Sequence, residues 1–167
     1  MRVLALTDPL TGLANRNEFN RGYNSALKMA ARYKYQVGLI LLDLDKFKPI
    51  NDTYGHPVGD SVLKKVSNIL LTNLRETDIV ARLGGDEFAI VLNKVDINYL
   101  EKISEKILNL ISPPFHIDTH KIKVGLSIGI SISQNNNLDP EILFKSADHA
   151  LLLAKKEGRN TYRISTN

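Results

Sequence analysis

The chain has 167 residues, 43% hydrophobic and 24% charged, which places it in the range of one soluble globular domain. A chain this long buries roughly two thirds of its unfolded surface and needs no disulfide or metal staple to fold; the absence of cysteine removes the first option and suits a reducing compartment. The net charge of +4 suits anionic ligands, but the lysines and arginines are scattered rather than blocked, which argues against a nucleic-acid-binding module.

Residues 1–6 hold too short an apolar region for a signal peptide, and the longest apolar run, 37–42, cannot span a bilayer. A cytoplasmic domain without direct membrane contact is expected, any anchoring being left to other parts of a parent chain. Between 15 and 33 the apolar positions Phe19, Tyr23, Ala26, Leu27 and Ala30 recur at helical spacing, and a buried strand follows at 37–42. A second helix is expected over 58–74, with Val62, Leu63, Val66, Ile69 and Leu70 as its buried stripe.

Strands at 78–83 and 87–92 flank Gly84 and Gly85, the pattern of a hairpin whose turn needs positive φ. A third helix over 98–110 ends before Ser112-Pro113-Pro114, and an extended run at 115–118, a turn at 119–120 and a longer strand at 121–133 form another hairpin. Residues 134–139 read as a surface loop. Pro140 opens a last helix that stops at Gly158, and 162–164 make a final short strand. Helices thus alternate with hairpins around one mainly antiparallel sheet, an α+β sandwich rather than a doubly wound parallel fold.

Asp43 closes the first strand and Asp86 follows the two glycines, so neighbouring strands would bring two carboxylates to one sheet end. Such a pair suits Mg²⁺ carried by a nucleotide, although strand ends also carry solvated acids, and spacing alone leaves both readings open. The stretch 43–60 leaves a buried strand, turns tightly and feeds a helix start, where free amides can bind phosphate oxygens. Lys155 and Arg159, four apart on one helix face, serve equally well as basic residues at a helix C-terminus.

Within 43–60 the order Asp43, Phe47-Lys48, Asn51-Asp52, Tyr54-Gly55-His56 and Gly59-Asp60, followed by Gly84-Gly85-Asp86-Glu87-Phe88, resembles the signature of GGDEF-type diguanylate cyclases. Asp8-Pro9-Leu10-Thr11-Gly12-Leu13-Ala14-Asn15-Arg16 is similar to the opening motif of that family. Ser127-Ile128-Gly129-Ile130 resembles its late strand, and Ala147-Asp148 through Lys155 to Gly158-Arg159-Asn160 its closing helix. The likeness covers nearly the whole chain.

The resemblance implies a nucleotidyl-cyclase or ferredoxin-like sandwich that joins two GTP molecules into cyclic di-GMP and releases pyrophosphate. It places Asp43, the Leu44 carbonyl, Asp86 and Glu87 at two Mg²⁺ or Mn²⁺ ions, with Glu87 binding the second metal or helping to deprotonate the attacking 3′-hydroxyl. Lys155 and Arg159 match residues on the terminal phosphates, with Phe47, Lys48, Gly84 and Gly85 also on the substrate. Asn51 and Asp60 match the guanine-reading residues, since a carboxylate accepts from guanine N1–H and the N2 amino group.

Arg75-Glu76-Thr77-Asp78 resembles the product-inhibition site of the family, with Arg82 assisting; two arginines grip phosphates or stack on bases. Two features depart from the common pattern: the third motif residue is Asp86 rather than Glu, and Leu152 stands where Tyr is usual. One GTP per domain implies a homodimer for catalysis. The chain reads as a single domain, 1–167, cut from a longer signalling protein whose other domains regulate it. Its lead-in Val80-Ala81-Arg82-Leu83 resembles tandem proteins with a downstream EAL phosphodiesterase domain. A regulatory module that binds GTP or cyclic di-GMP without catalysis is the alternative reading.

Overall fold

The computed structural model describes residues 5–135 and 138–165. Asn15 caps the first helix, α1 (Arg16–Tyr33), by accepting from the Glu18 amide, and the apolar stripe read from the sequence is its buried face. The strand that follows, β1 (Val37–Asp45), runs to Asp45, three residues past the apolar run. Next come α2 (Phe47–Tyr54), α3 (His56–Thr72), and the hairpin β2 (Ile79–Gly84) with β3 (Glu87–Asn93). Asp96 caps α4 (Ile97–Ile111). The chain continues through β4 (Phe115–Ile117), β5 (His120–Ile122) and β6 (Gly125–Ile132) to α5 (Pro140–Lys156), capped by Asp139, and β7 (Tyr162–Ile164).

Among the described residues the main sheet has the order β2-β3-β1-β6-β7, antiparallel except for the parallel β6–β7 pair. Central β1 is buried on both faces because side chains alternate along a strand. Leu39 and Leu41 pack with Phe19 and Tyr23 of α1 and Leu143 and Leu151 of α5. Ile40, Leu42 and Leu44 pack on the opposite face with α3 and α4, through Val62, Val66, Leu100 and Ile107. The result is the α+β sandwich expected from the sequence.

Two expectations need correction. Residues 47–54 form a two-turn helix rather than a loop, and α3 accordingly begins at His56. The strand expected over 121–133 is two strands: β5 pairs with β4 in a separate two-stranded sheet, while β6 joins the main one. The alternation of Lys121, Ile122, Lys123 and Val124 continues through this change of sheet, so periodicity passes over the break. The expected loop 134–139 includes two positions, 136 and 137, outside the described residues. Residues 1–4 of the expected short apolar start also lie outside them.

Candidate active site at one end of the sheet

The register of β1 and β3 sets Asp43 opposite Glu87. Asp86 sits just before Glu87 in the turn, and its carbonyl accepts from the Leu44 amide at 3.3 Å, which ties the turn to β1. The turn depends on Gly84 (φ 147°) and Gly85 (φ 50°), whose positive φ a side chain would strain. Asp43 has the same parity as Leu39 and Leu41 and therefore faces α5, where Lys155 forms an ion pair with it. Asp43 is 9% exposed.

Three acids gathered here repel one another. Burial raises the Asp86 carboxyl above its ordinary range and the Asp43 charge raises it further; Glu87 is raised by burial, then by Asp43 and Asp86, with Arg16 and Lys155 opposing. Among the described residues no three His, Cys, Asp or Glu side chains are arranged to hold a metal ion unaided. The cluster fits a divalent ion that arrives with a nucleotide, because Mg²⁺ is typically held by one or two carboxylates plus substrate phosphates. A cavity of about 170 Å³ beside the cluster is lined by Leu41, Asp43, Glu87, Asp148 and Lys155 among others.

The turn after β1 reverses the chain through Lys46 in the left-handed region (φ 54°), and α2 starts there without a side-chain cap. Its first amides are therefore free donors, and Pro49 at the third helical position has no N–H to satisfy. Phe47 is half-buried against the core, and Asn51 lies over Gly59, where an added Cβ would fall 1.8 Å from the Asn51 Oδ1. This close approach of α2 and α3 sets the Asn51 carboxamide against Gly59, the residue before Asp60, which is exposed early in α3. Exposed Lys48 pairs with Asp52 of its own helix at 2.9 Å.

Arg159 does not share a helix face with Lys155 as expected: α5 ends at Lys156, and Arg159 follows in a segment where Gly158, Arg159 and Asn160 all have positive φ and helical geometry is lost. Asp45 pins this segment by accepting from the Asn160 amide at 2.8 Å, and is itself held by the Ser127 hydroxyl of β6, which donates to it at 2.5 Å. Asp45 was not singled out in the sequence, yet its position two residues after Asp43 puts both on one strand face.

Arg75 and Arg82 stand at opposite ends of β2. Arg75 donates to Asp78, whose side chain is fully buried, and to the Asn93 carbonyl at 2.7 Å, and lies over the Tyr99 ring. Arg82 engages different partners, donating to Asp8 at 3.1 Å and to the Gly85 carbonyl at 2.9 Å. Asp8 also accepts from the Thr11 amide and hydroxyl.

The chain matches the family model described as "Diguanylate cyclase, GGDEF domain" over residues 5–161. It is 36% identical to the diguanylate cyclase DgcS of Shewanella oneidensis, covering 99% of this chain and 54% of that protein. It is 37% identical to the cyclic di-GMP phosphodiesterase PdeR of Escherichia coli, covering 99% of this chain and 25% of that protein. Among solved structures, the GGDEF domain of DgcB from Caulobacter crescentus in complex with c-di-GMP superposes with a TM-score of 0.94 at 28% identity, covering 100% of this chain and 97% of that one. The chain thus spans from a quarter to about half of these curated relatives.

A mostly antiparallel sheet flanked by helices is the α+β fold that the chain shares with solved GGDEF domains. The chain belongs to the GGDEF family, and its relatives include proteins named as diguanylate cyclases. No helix among the described residues is long and apolar enough to cross a membrane.

Proposed function

We propose that this chain is a catalytically competent diguanylate cyclase domain, working in the cytoplasm as part of a longer signalling protein. The meeting of Asp43, Asp86 and Glu87 with Lys155 at one sheet end is the observation that carries the reading. In the reaction, the 3′-oxygen of one GTP bonds to the α-phosphorus of the other. The bond to the β-phosphate breaks, pyrophosphate leaves, the hydroxyl proton goes to a base, and a second such step closes the ring.

Asp43, the Leu44 carbonyl, Asp86 and Glu87 would hold two Mg²⁺ or Mn²⁺ ions, which neutralise charge on the phosphate oxygens. Lys155, Arg159 and the free amides at the start of α2 take the β- and γ-phosphates. Asn51 and Asp60 read the guanine edge, with Phe47 supporting Asn51. Gly84 and Gly85 leave the backbone of the turn open to the substrate. The 3′-hydroxyl to be activated belongs to a nucleotide on a facing copy, so catalysis needs a homodimer. Arg75 and Asp78 bind cyclic di-GMP as an inhibitor; Arg82, expected to assist them, is engaged instead with Asp8 and Gly85 at the other end of β2.

A second reading, a regulatory module without turnover, is favoured by the equal similarity to PdeR, a protein named as a phosphodiesterase. Incubation with GTP and Mg²⁺ over a range of protein concentrations, followed by nucleotide chromatography, separates the two. Cyclic di-GMP that rises steeply with protein concentration and disappears in Glu87→Gln supports the cyclase. Retained nucleotide binding without product, even when two copies are fused, supports the module.

A further inference from the structure

Beside the acidic cluster lies a second cavity, of about 600 Å³, whose wall is strongly basic. Lys46 from the turn after β1, Lys123 from the connector between β5 and β6, Lys155 and Lys156 from the last turn of α5, and Arg159 just beyond it all line it, with Asp45 the one acid. That acid is already committed: one carboxylate oxygen accepts from Ser127 and the other from the Asn160 amide. Gly125 makes this possible, because a Cβ there would come 2.9 Å from the Asp45 carboxylate. Five cations from three chain segments therefore face one internally satisfied carboxylate, next to a helix start with unpaired amides.

Lys155 lines both cavities, since its ammonium reaches Asp43. A triphosphate with its α-phosphate at the carboxylates would run its β- and γ-phosphates past Lys155 into the basic cavity. Lys123 is well placed to meet them. Its neighbours Ile122 and Val124 are each 2% exposed and fix the connector where the chain changes sheets, so the intervening side chain turns outward.

We propose that Lys123 is a further phosphate ligand, which together with Lys46 holds the terminal phosphates of the triphosphate and the pyrophosphate that leaves. This rests on the GTP-binding reading above. The test is calorimetry on the whole 167-residue chain with Mg²⁺, using GTP and inorganic pyrophosphate as separate probes. Lys123→Ala should weaken both about fivefold, the size expected of one half-solvated charged contact, and Lys123→Arg should bind nearly as wild type. Lys145→Ala removes a lysine from α5 outside this cavity and should leave both affinities unchanged.

Wild-type affinity in Lys123→Ala, or an equal loss in Lys145→Ala that would mark a general charge effect, overturns the inference while leaving GTP binding intact. Failure of the wild-type chain itself to bind GTP overturns the underlying reading as well.

Discussion

Asp43 and Glu87 are direct cross-strand partners in the ladder between β1 and β3, and Asp86 stands beside them at the turn. Like charges facing across a sheet destabilise the fold, and here the repulsion is retained at the sheet end where the ladder meets α5. Because the Asp86 and Glu87 carboxyls titrate above their unfolded range, the native state binds more protons than the unfolded one over that interval. Their contribution to stability is complete at low pH and declines as pH rises through the folded values. Asp86→Asn and Glu87→Gln are therefore expected to abolish cyclic di-GMP formation and raise Tm at neutral pH. The gain should shrink as pH falls toward the ordinary carboxylate range. Thermal melts across pH check this, and a Tm at pH 7 below that of the wild type would refute it.

The contact between Gly59 and Asn51 gives a second expectation. A methyl at Gly59 would meet the end of the Asn51 side chain, which can rotate away, so Gly59→Ala should cost at most about 1–3 kcal/mol. Turning Asn51 aside removes a candidate guanine contact. GTP affinity should fall about tenfold while the protein stays folded, and Gly59→Ala combined with Asn51→Ala should be little worse than Asn51→Ala alone. Nucleotide titration of the three variants measures the coupling; strictly additive losses would show that the two residues act separately.

Most of this architecture was readable because β1, the β2–β3 hairpin, α1 and α5 each carry a strong local signal: a continuous apolar run, a glycine turn, an apolar stripe at helical spacing and Pro140 at a helix start. The helix α2 gave no such signal. It has two turns and a proline at its third position, and its apolar stripe is only Phe47, Ile50 and Tyr54, too few residues for helical periodicity to stand out from a turn. Within the site, the residues with ordered spacing were found, whereas Asp45 and the partners of Arg82 were not. Asp8 and Arg82 are 74 positions apart, and no periodic pattern connects an opening turn with the end of a hairpin.

At the other end of β2, Arg75 holds its planar guanidinium between Asp78, the Asn93 carbonyl and the Tyr99 ring. Arg75→Ala should weaken cyclic di-GMP binding by more than about tenfold, as expected where a charged fork is lost. It also leaves the buried Asp78 carboxylate without its cation, and so lowers Tm. Arg75→Lys keeps a positive charge but not the fork; it should recover part of the stability and none of the product affinity. Calorimetry with cyclic di-GMP on both variants decides, and tight binding by Arg75→Lys would remove the planar-fork explanation.

The Arg82–Asp8 pair joins the opening segment of the chain to the turn that carries Asp86 and Glu87, with both side chains only 15% exposed. Burial alone would raise the Asp8 carboxyl, but the Thr11 hydroxyl and amide and the Arg82 guanidinium outweigh it, and its pKa is lowered. An acid held below its unfolded value contributes stability that is present above that value and is lost as pH falls through the folded one. Arg82→Ala should therefore cost about 1–2 kcal/mol at pH 7. That corresponds to about 2–4 °C of Tm per kcal/mol at this chain length. In acid, where Asp8 is protonated in both proteins, the difference between the two melts should narrow. Because Arg82 also donates to the Gly85 carbonyl, the variant frees the turn from the opening segment. Hydrogen exchange of the Gly84–Glu87 amides should then quicken more than Asp8→Asn alone produces. Equal exchange in the two variants would mean that the link from Arg82 to Gly85 does not hold the turn.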